Sequence, residues 1–515
     1  MTTNAGAARQ PTYLELIRRG AALHGERVAI TCGVQNLTFD QVDALSSQLA
    51  HALMARGVRQ GERVALLLNN GIYSVPTDFA CVKAGLNRVP LNARLSLDEH
   101  ARMLQETGCT TLVFGADLQE RAAALAARLG GLQCLGLDAQ VQGGADLVAL
   151  AAQQSAKTPD IAVHPDDIVL TLFTSGTTGT LKAAQHTQAS YAGVCRNVLL
   201  NLMPVGPDDA MLHAASLIHA SGVFVLPFWL RGARTVIMPA FEPGAYLRLL
   251  AQERITTINM VPTMLQMLLS HPDFAGTDVS ALKAVIYGAS PMPRAVIERA
   301  MAAWGQHRFW QYFGQTEVPL CLAVLRPEHH VGELLDACGQ PAIDVELRIV
   351  GDDGRDLPQG EIGEVLVRAP SAVSGYLNAP ALTAETFDAE GWVHTRDMGL
   401  LDARGFLHLR DRKSDMIITG GYNVYPQEVE NALMAHPAVR ECAVVGTPHD
   451  KWVEMVTAVV ALQPGAQVDE AALIAHVAGQ LAGYKKPGRV VFVPEIPKTA
   501  VGKLSRRAVR EQLQS

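Results

Sequence analysis

The sequence predicts an α/β protein. A large N-terminal domain contains two doubly wound α/β subdomains and a small β subdomain, and a smaller, mobile α+β C-terminal domain follows it. Three observations lead to this fold class. Short apolar segments alternate with helical segments from residue 63 to residue 287, as in parallel sheets covered by helices. Between residues 345 and 409 the pattern changes to short β segments separated by turn sequences. The tail has strands and helices of its own, so we predict domains at 1–411 and 412–515.

The first α/β subdomain is predicted from its strand and helix signals in chain order. Residues 14–55 are mostly helical, with short strands at 28–32 and 37–39. The alternating elements that follow are a strand at 63–68, a helix ending before Gly85, a strand at 88–91, a helix at 97–107, a strand at 111–114 and a helix at 118–129. Residues 145–165 are weakly patterned, and we expect them to be a connection.

The second subdomain and the tail are also predicted from their strand and helix signals. The strands predicted in the second subdomain lie at 210–214, 234–239, 257–261 and 282–287. The tail is predicted to contain strands at 441–445, 456–462 and 490–493 and helices at 428–435 and 470–481. The similar alternation in the two halves suggests two related α/β subdomains, without a repeat at the level of residues.

Composition excludes several classes of protein. Among 515 residues, 49% are hydrophobic and 18% are charged, so the chain can bury large cores and is not disordered. A net charge of −7 gives no reason to expect nucleic acid as a partner. The eight cysteines lack paired spacing, which argues against zinc sites and disulfides and suits a reducing compartment. The apolar run 223–230 is too short for a transmembrane segment, and no signal segment is seen. We expect a cytoplasmic protein, and a homodimer is left open.

One loop indicates phosphate binding. The apolar strand at 168–173 leads directly into a stretch of glycines and hydroxyl residues that ends at Lys182. Its residues are Thr174, Ser175, Gly176, Thr177, Thr178 and Gly179. Glycines let the backbone approach a ligand, and the hydroxyls and the lysine can surround a polyphosphate. The spacing is not that of the common P-loop, and a Ser/Thr/Gly surface turn is the alternative.

Four further stretches carry polar chemistry, although each one alone is weak. Tyr287-Gly-Ala-Ser-Pro291 follows a strand, as a ligand-binding turn would. The others are Phe313-Gly-Gln-Thr-Glu317, the pair formed by His394-Thr-Arg-Asp397 and Asp411-Arg412, and the basic stretch from Lys498 to Lys503. In this order and spacing the motifs resemble the adenylate-forming superfamily of acyl-CoA synthetases, adenylation domains and luciferases. The resemblance runs from about Tyr13 to Glu511, and the stretch from Asp411 to Pro426 is most similar to acyl- and aryl-CoA ligases.

The resemblance implies a reaction in two steps. ATP and a carboxylate form an acyl-adenylate and pyrophosphate, and after rotation of the small domain the thiol of CoA attacks the adenylate. The expected ligands are therefore ATP, Mg²⁺, coenzyme A and a small carboxylic acid. Because a carboxylate must attack a polyanion, positive charge has to offset repulsion in the transition state.

The resemblance also assigns roles to individual residues. The loop 174–179 with Lys182 would hold the β- and γ-phosphates, Gly288, Ala289 and Ser290 would contact the base, and Phe313 would stack on adenine. Thr316 would contact the α-phosphate, Glu317 would help to hold Mg²⁺, and Asp397, assisted by Arg412, would accept the ribose hydroxyls. Lys503 would bridge the carboxylate and the α-phosphate, and Gly420 and Gly421 would line the pantetheine tunnel.

Three positions depart from the family pattern. The phosphate loop continues as Leu181-Lys182-Ala183 where Pro-Lys-Gly is usual. Arg396 occupies the position at which Gly commonly precedes the ribose-binding aspartate, and Ser414 stands at the hinge, where Asp or Lys is usual. None of these changes removes a charged catalytic group, so we expect an active enzyme.

The predicted acyl pocket is small and uncharged. A lone histidine among apolar residues is usually a core residue, but the resemblance places His219 beside the reacting carboxylate. The other pocket candidates are Ala220, Ser221, Val225, Met260, Val261, Ala289, Tyr312 and Val318, with Tyr312 as the floor. No Arg or Lys is among them, and Ile218-His219 lacks the aspartate with which amino-acid-activating domains bind an ammonium. We therefore expect a monocarboxylate with a compact apolar body, namely an aryl, cyclic or short-to-medium acyl acid.

Three alternatives stay open. The acyl group could be transferred to the pantetheine of a carrier protein, since both thiols arrive on the same arm. Long-chain acids would fit if Tyr312 moved aside. A non-catalytic binding or scaffold protein is the third alternative, and the presence of Glu317, Asp397, Arg412 and Lys503 argues against it.

Overall fold

The structure is a computed structural model that describes residues 10–174, 182–217, 221–290, 292–449, 451–499 and 503–514. Its strands in chain order are β1 Val28–Cys32, β2 Gln35–Thr38, β3 Arg63–Leu67, β4 Asn87–Pro90, β5 Thr111–Gly115, β6 Gln133–Leu137, β7 Ala145–Asp146, β8 Ile168–Thr174, β9 Lys182–Thr187, β10 Ala210–His213, β11 Arg234–Ile237, β12 Thr257–Met260, β13 Ala284–Gly288, β14 Phe309–Phe313, β15 Ala323–Leu325, β16 Gln340–Pro341, β17 Glu346–Val350, β18 Gly363–Arg368, β19 Gly375–Tyr376, β20 Val393–Leu401, β21 Leu407–Arg412, β22 Ile417–Thr419, β23 Tyr422–Val424, β24 Val439–His449, β25 Val453–Leu462 and β26 Arg489–Phe492.

The α-helices cover the faces of these sheets. They are α1 Tyr13–His24, α2 Phe39–Ala55, α3 Ser74–Lys83, α4 Leu97–Thr107, α5 Gln119–Leu129, α6 Leu147–Ala151, α7 Gln188–Asn201, α8 Val225–Leu230, α9 Pro243–Gln252, α10 Pro262–Leu269, α11 Arg294–Trp304, α12 Pro380–Thr386, α13 Pro426–Met434, α14 Glu470–Ala478 and α15 Arg506–Gln514. Among the described residues, none of these helices combines the length and apolar character needed to cross a membrane.

Local sequence explains where several helices begin. Ser96 and Glu99 form a capping box at the start of α4, in which the serine hydroxyl accepts from the Glu99 N–H and the Glu99 carboxylate accepts from the Ser96 N–H. Thr12 caps α1 in the same way. Helix α4 ends at Gly108, whose φ of 63° is the left-handed conformation that glycine adopts at little cost.

Two large sheets form the α/β subdomains, as the sequence predicts. The first has the order β19-β9-β8-β4-β3-β5-β6-β7, and the second has the order β16-β15-β14-β13-β12-β10-β11-β1-β2. The strands β3, β4, β5 and β6 pair in parallel, and so do β10 to β14. The predicted α/β fold class is therefore confirmed.

Some pairings could not be foreseen from local pattern. Strands β1 and β2, which lie early in the chain, join the second sheet through parallel pairing of β1 with β11. The predicted connection at 145–165 contains the short elements β7 and α6. Strand β8 pairs antiparallel with β9, and Thr174 lies opposite Lys182. The predicted phosphate loop therefore joins two antiparallel strands, whereas a P-loop joins a strand to a helix.

The small β subdomain and the tail complete the fold. Strands β17, β18, β20 and β21 form an antiparallel sheet, and β22 to β26 form a separate sheet packed against α13, α14 and α15. Strand β21 ends at Arg412 and the last sheet begins at Ile417, so the predicted division between residues 411 and 412 falls at the end of β21.

The second sheet separates two cores, and this separation positions the acyl side of the site. On one face Met211, Ile286 and Tyr312 pack with Phe224 and Val318. On the opposite face Leu212, Ile258 and Met260 pack with residues of α9 and α10. Because side chains alternate along a strand, neighbouring residues of β10 and β13 belong to different cores.

Candidate active site

The predicted base-binding turn begins where β13 ends. Gly288 pairs with Tyr312 of β14, and a Cβ added at Gly288 would collide with the Tyr312 carbonyl oxygen. The next residue, Ala289, has a φ of 66°, a left-handed conformation that is uncommon outside glycine. The chain therefore turns sharply at Gly288 and Ala289, at the carboxyl edge of parallel strands, where α/β sheets bind ligands.

The stretch after β14 is a tight loop. The Leu322 N–H donates to the Phe313 carbonyl over 2.8 Å, and the Gln315 N–H donates to the Val318 carbonyl over 3.2 Å. A Cβ at Gly314 would collide with the backbone of Leu320. This close approach requires glycine and holds the half-buried side chains of Thr316 and Glu317 at the strand end.

Glu317 is tied to the first sheet by a residue that sequence reasoning missed. The Tyr376 hydroxyl donates to Glu317 Oε1 over 2.5 Å. Lys182 Nζ lies 5.7 Å from the centroid of the same tyrosine ring. Burial and the Glu317 carboxylate raise the pKa of Tyr376 well above its usual value, so the phenol stays a hydrogen-bond donor. Tyr376 therefore fixes the position of one oxygen of the Glu317 carboxylate.

Asp397 and Arg412 face each other across β20 and β21. Arg412 Nε lies 3.3 Å from Asp397 Oδ1, and Asp397 is only 8% exposed. Burial raises the pKa of Asp397 to about 6, while the positive charges of Arg412 and Lys503 act in the opposite direction. A buried carboxylate with one guanidinium partner keeps acceptor capacity for a hydroxyl-bearing ligand.

Arg396 shows why glycine is common before the ribose-binding aspartate. Its φ is 62°, in the left-handed region that glycine prefers. Its carbonyl accepts from the Lys413 N–H over 2.9 Å, and its guanidinium donates to the Glu385 carbonyl over 3.2 Å. These contacts hold an arginine in a glycine-like conformation, so Asp397 keeps its direction despite the departure.

Lys503 of the last domain lies near Asp397 and Arg412. The loop that carries it is closed by the Thr499 N–H, which donates to the Lys503 carbonyl over 2.7 Å. The side chain is exposed overall, yet desolvation and the neighbouring Arg412 lower the pKa of its ammonium, and Asp397 opposes that shift. Lys503 thus lies within electrostatic range of the ionic cluster formed by Asp397 and Arg412.

A second ionic cluster holds the lysine-bearing segment in position. Arg506, the first residue of α15, lies 3.0 Å from Asp411 and 2.8 Å from Glu430. Burial raises the pKa of Asp411 to about 6, and Arg506 counteracts that shift. Arg506 follows Lys503 by three residues, so this contact fixes the start of α15 close to the hinge region. Its role was missed because an arginine after a basic loop gives no separate signal in the sequence.

The two glycines of the predicted pantetheine tunnel lie in the turn between β22 and β23. Gly420 has a φ of 56° and Gly421 a φ of 83°. The Gly420 N–H donates to the Trp452 carbonyl over 2.9 Å, and the indole of Trp452 would touch a Cβ at Gly420. An exposed turn without side chains, bordered by an indole, is a surface along which a thin ligand arm can pass.

The predicted pocket residues lie in separate parts of the structure. Tyr312 is 4% exposed and forms an edge contact with Phe224, with ring centroids 6.4 Å apart. Val318 packs in the same cluster. Met260 points to the opposite face of the sheet, since β12 alternates its side chains, and therefore does not line this pocket. Val225 lies in a different cluster and borders a small cavity beside Leu66 and Leu68.

Several predicted residues lie outside the described residues. These are Ser175, Gly176, Thr177, Thr178 and Gly179 of the phosphate loop, and His219 and Ala220 of the pocket. The loop's first and last predicted members, Thr174 and Lys182, lie directly opposite each other.

A magnesium ion would have to share its ligands with a substrate here. Within the described ranges, no group of three or more His, Cys, Asp or Glu side chains could hold a metal ion. Glu317 contributes one half-buried carboxylate to the candidate site. This fits Mg²⁺, which is commonly bound through one or two carboxylates together with phosphate oxygens and water.

Comparison with known proteins shows to which family the chain belongs. The model of the AMP-binding enzyme family matches residues 17–377, and that of the AMP-binding enzyme C-terminal domain matches residues 428–503. The chain belongs to the AMP-binding enzyme family. The predicted superfamily is thereby confirmed, and the protein is an enzyme of the AMP-forming acid–thiol ligase class.

Relatives and solved structures match over nearly the whole chain. A feruloyl-CoA synthase from Amycolatopsis sp is 37% identical over 501 residues, which cover 96% of this chain and 97% of the relative. An indoleacetate–CoA ligase from Aromatoleum aromaticum is 34% identical, with 96% and 97% covered. The solved structure of the amide bond synthetase McbA from Marinactinospora thermotolerans has a TM-score of 0.89 at 32% identity, covering 97% of this chain and 99% of that one.

Proposed function

We propose that this enzyme activates a compact apolar monocarboxylate with ATP and transfers the acyl group to the thiol of coenzyme A. The observation that carries the proposal is that Lys503 lies within electrostatic range of the Asp397–Arg412 ion pair, across the two predicted domains. This proximity supports a role for a cation of the tail beside the ribose and the α-phosphate of ATP. The family and the CoA-ligase relatives support the reaction class.

In the first step a carboxylate oxygen attacks the α-phosphorus of ATP. The bond from the α-phosphorus to the bridging oxygen breaks, and pyrophosphate leaves with the electron pair. Asp397 accepts the ribose hydroxyls, Phe313 stacks on adenine, and Thr316 donates to the α-phosphate. Lys503 lies between the two anions and lowers their repulsion as they approach.

Mg²⁺ bound at Glu317 and the phosphates would neutralise charge developing on the leaving pyrophosphate. Tyr376 keeps the Glu317 carboxylate in one orientation through its 2.5 Å hydrogen bond. Lys182, beside the tyrosine ring, adds positive charge on the side of the β- and γ-phosphates. The loop 174–179 would complete this phosphate site.

In the second step residues 412–515 rotate and the thiol attacks the acyl carbon, releasing AMP. Ser414 lies between the last strand of the β subdomain and the first strand of the final sheet, where a change in φ and ψ would reorient the tail. Rotation would withdraw Lys503 and bring Gly420 and Gly421 to the acyl-adenylate. The glycine turn then admits the pantetheine arm without obstruction by side chains.

The packing of Tyr312 supports a compact acyl group. Its ring packs against Gly288 and Phe224, so the phenol fills the space between β13 and the helix that follows Ser221. An acyl pocket closed by Tyr312 would suit an aryl or cyclic acid, and the names of two relatives, a feruloyl-CoA synthase and an indoleacetate–CoA ligase, agree with it.

A carrier-protein thiol is the second candidate acceptor. One relative from Streptomyces coeruleorubidus, 34% identical over 499 residues, is a fatty acid–[acyl-carrier-protein] ligase. The exposed glycine turn beside Trp452 can take a pantetheine arm of either origin.

A panel of carboxylic acids tests the proposal through pyrophosphate release, with and without CoA. We expect release with compact aryl or cyclic acids and formation of a CoA thioester. Asp397→Ala should abolish both signals, since the ribose contact is lost. Release of pyrophosphate without any CoA thioester, together with loading of a phosphopantetheine carrier, would favour the second candidate. Absence of release with every acid would refute ligase function.

A further inference from the structure

One asparagine joins the carboxyl edges of the two large sheets. Asn70 lies three residues after the end of β3, in the turn that leads to α3. Its Nδ2 donates to the Ala215 carbonyl over 3.0 Å and to the Met238 carbonyl over 3.2 Å. Its Oδ1 accepts from the Leu217 N–H over 2.9 Å. This half-buried side chain of the first α/β subdomain therefore uses both its donor and its acceptor group on the second subdomain.

The turn around Asn70 is itself held in shape. The Ser74 hydroxyl accepts from the Gly71 N–H over 2.9 Å and donates to the Asn69 carbonyl over 3.3 Å. Ser74 is the first residue of α3 and is buried. Because the residues on both sides of Asn70 are bound to the start of this helix, the first subdomain fixes the direction in which the Asn70 side chain points.

The acceptor contact of Asn70 lies at the start of the loop that carries His219. Leu217 directly precedes the three residues that include His219 and lie outside the described part of the chain. After them comes Ser221, whose hydroxyl oxygen lies 2.8 Å from His213 Nδ1. Asn70 and His213 therefore hold the chain on either side of the segment with His219.

A close approach of two backbone segments also holds Leu217. A Cβ added at Gly222 would lie 1.9 Å from the Leu217 carbonyl oxygen, so only glycine fits at this position. The Leu217 N–H is thus bound by Asn70, and its carbonyl lies against the backbone of Gly222. A shift of Leu217 would disturb both contacts and would move the point from which the chain continues to His219.

We propose that Asn70 is a positioning residue for the acyl side of the active site. It ties residues 215–217 to the first sheet and thereby keeps His219 beside the reacting carboxylate. This inference rests on the proposed ligase function and on the place that the family resemblance gives His219. The residues proposed for adenine, ribose and the α-phosphate lie at β13, β14 and β20, away from these contacts in the chain. Loss of Asn70 should therefore affect the carboxylic acid more than ATP.

The kinetic test separates the acid from ATP. We would measure kcat and KM for pyrophosphate release with the acid of the panel that reacts fastest, varying the acid at saturating ATP and ATP at saturating acid. In Asn70→Ala, kcat/KM for the acid should fall roughly 10- to 100-fold, because a small misplacement of the reacting groups has an effect of that order. The KM for ATP should stay within about three-fold of wild type, since the ATP contacts are unchanged.

Hydrogen exchange gives a readout that does not depend on activity. The Leu217 N–H is bound to Asn70 Oδ1, so peptides that cover residues 214–217 should exchange faster in Asn70→Ala. Peptides from β10, which pairs with a strand on either side, should exchange as in wild type. Unchanged exchange at 214–217 would overturn the inference, and so would an equal increase in β10.

Asn69→Ala is the matched control. Asn69 is the neighbouring asparagine, and its exposed amide donates to Asp117 Oδ2 over 2.6 Å, within the first subdomain. Its removal should leave the kinetic constants and the exchange at 214–217 unchanged. Asn70→Asp is the second variant. It keeps the shape of the side chain but turns an oxygen toward the carbonyls of Ala215 and Met238, so it should show the same selective loss as Asn70→Ala.

The outcomes distinguish this inference from the proposed function. An equal fall of kcat/KM for the acid and for ATP in folded Asn70→Ala would show a general structural role and overturn the positioning role. An Asn70→Asp variant as active as wild type would overturn it as well. If Asn70→Ala does not fold, Asn70→Asp decides by the same comparison. Absence of pyrophosphate release from the wild-type enzyme with every acid would instead refute the ligase function, and the positioning role with it.

Discussion

Replacing Lys503 with alanine should separate the two half-reactions. Lys503 lies within electrostatic range of Asp397 and Arg412 in this structure, and desolvation already lowers the pKa of its ammonium. In the proposed thiol-transfer step, rotation of the tail would withdraw Lys503. Adenylate formation should therefore suffer, while thioester formation from a supplied acyl-adenylate should be spared.

The magnitude follows from charge separation. Two unit charges 4 Å apart interact by about 4 kcal/mol at the effective dielectric of a protein surface. Because the Lys503 side chain is exposed and partly screened before ATP binds, its full effect arises only in the closed complex. Loss of one well-placed charge contact of this kind lowers kcat by roughly 10²–10³.

The assay is single-turnover pyrophosphate release for the first half-reaction and thioester formation from synthetic acyl-adenylate for the second. Lys498→Ala is the control, since Lys498 lies on the same loop but pairs with Glu441 at 2.8 Å within the tail domain. It should leave both half-reactions within a few-fold of wild type. An equal fall of both half-reactions in Lys503→Ala would show that Lys503 acts in folding or docking, and the reasoning would be refuted.

Three further predictions concern the metal, the pH and the pocket floor. Glu317→Gln keeps the shape of the side chain but removes its charge, so activity at limiting Mg²⁺ should fall while the thermal unfolding curve stays unchanged. An unchanged rate at limiting Mg²⁺ would show that Glu317 does not bind the metal. The folded-state pKa of Asp397 is raised to about 6, so the carboxyl is increasingly protonated below that pH, and kcat/KM for ATP should fall as pH drops through it. Asp397→Asn should abolish this fall of kcat/KM near pH 6. Asp411→Asn is the control, because burial also raises the pKa of Asp411 to about 6, and it should leave the fall in place. Tyr312→Gly should favour longer acids, because each added CH₂ that is buried contributes about 0.8 kcal/mol. If kcat/KM keeps the same rank order along a series of straight-chain acids, Tyr312 is not the floor of the pocket.

Much of the fold follows from local pattern. The alternation of apolar strands and helices, and the turn sequences between residues 345 and 409, are properties of short windows, so the α/β class and the separate β sheet are readable from them. Pairing between distant segments is not a local property. For this reason the entry of β1 and β2 into the second sheet and the antiparallel pairing of β8 with β9 were not foreseen.

The sequence by itself determined the family, the order of the motifs and the charged residues at the candidate site, because residue type and spacing are enough to state those. The tertiary structure decided which side chains meet. Tyr376 orients Glu317 from a strand of the other sheet, and Met260 turns away from the pocket because of strand alternation. The contacts of Arg506 with Asp411 and Glu430 could not be predicted, since they depend on how segments far apart in the chain pack together.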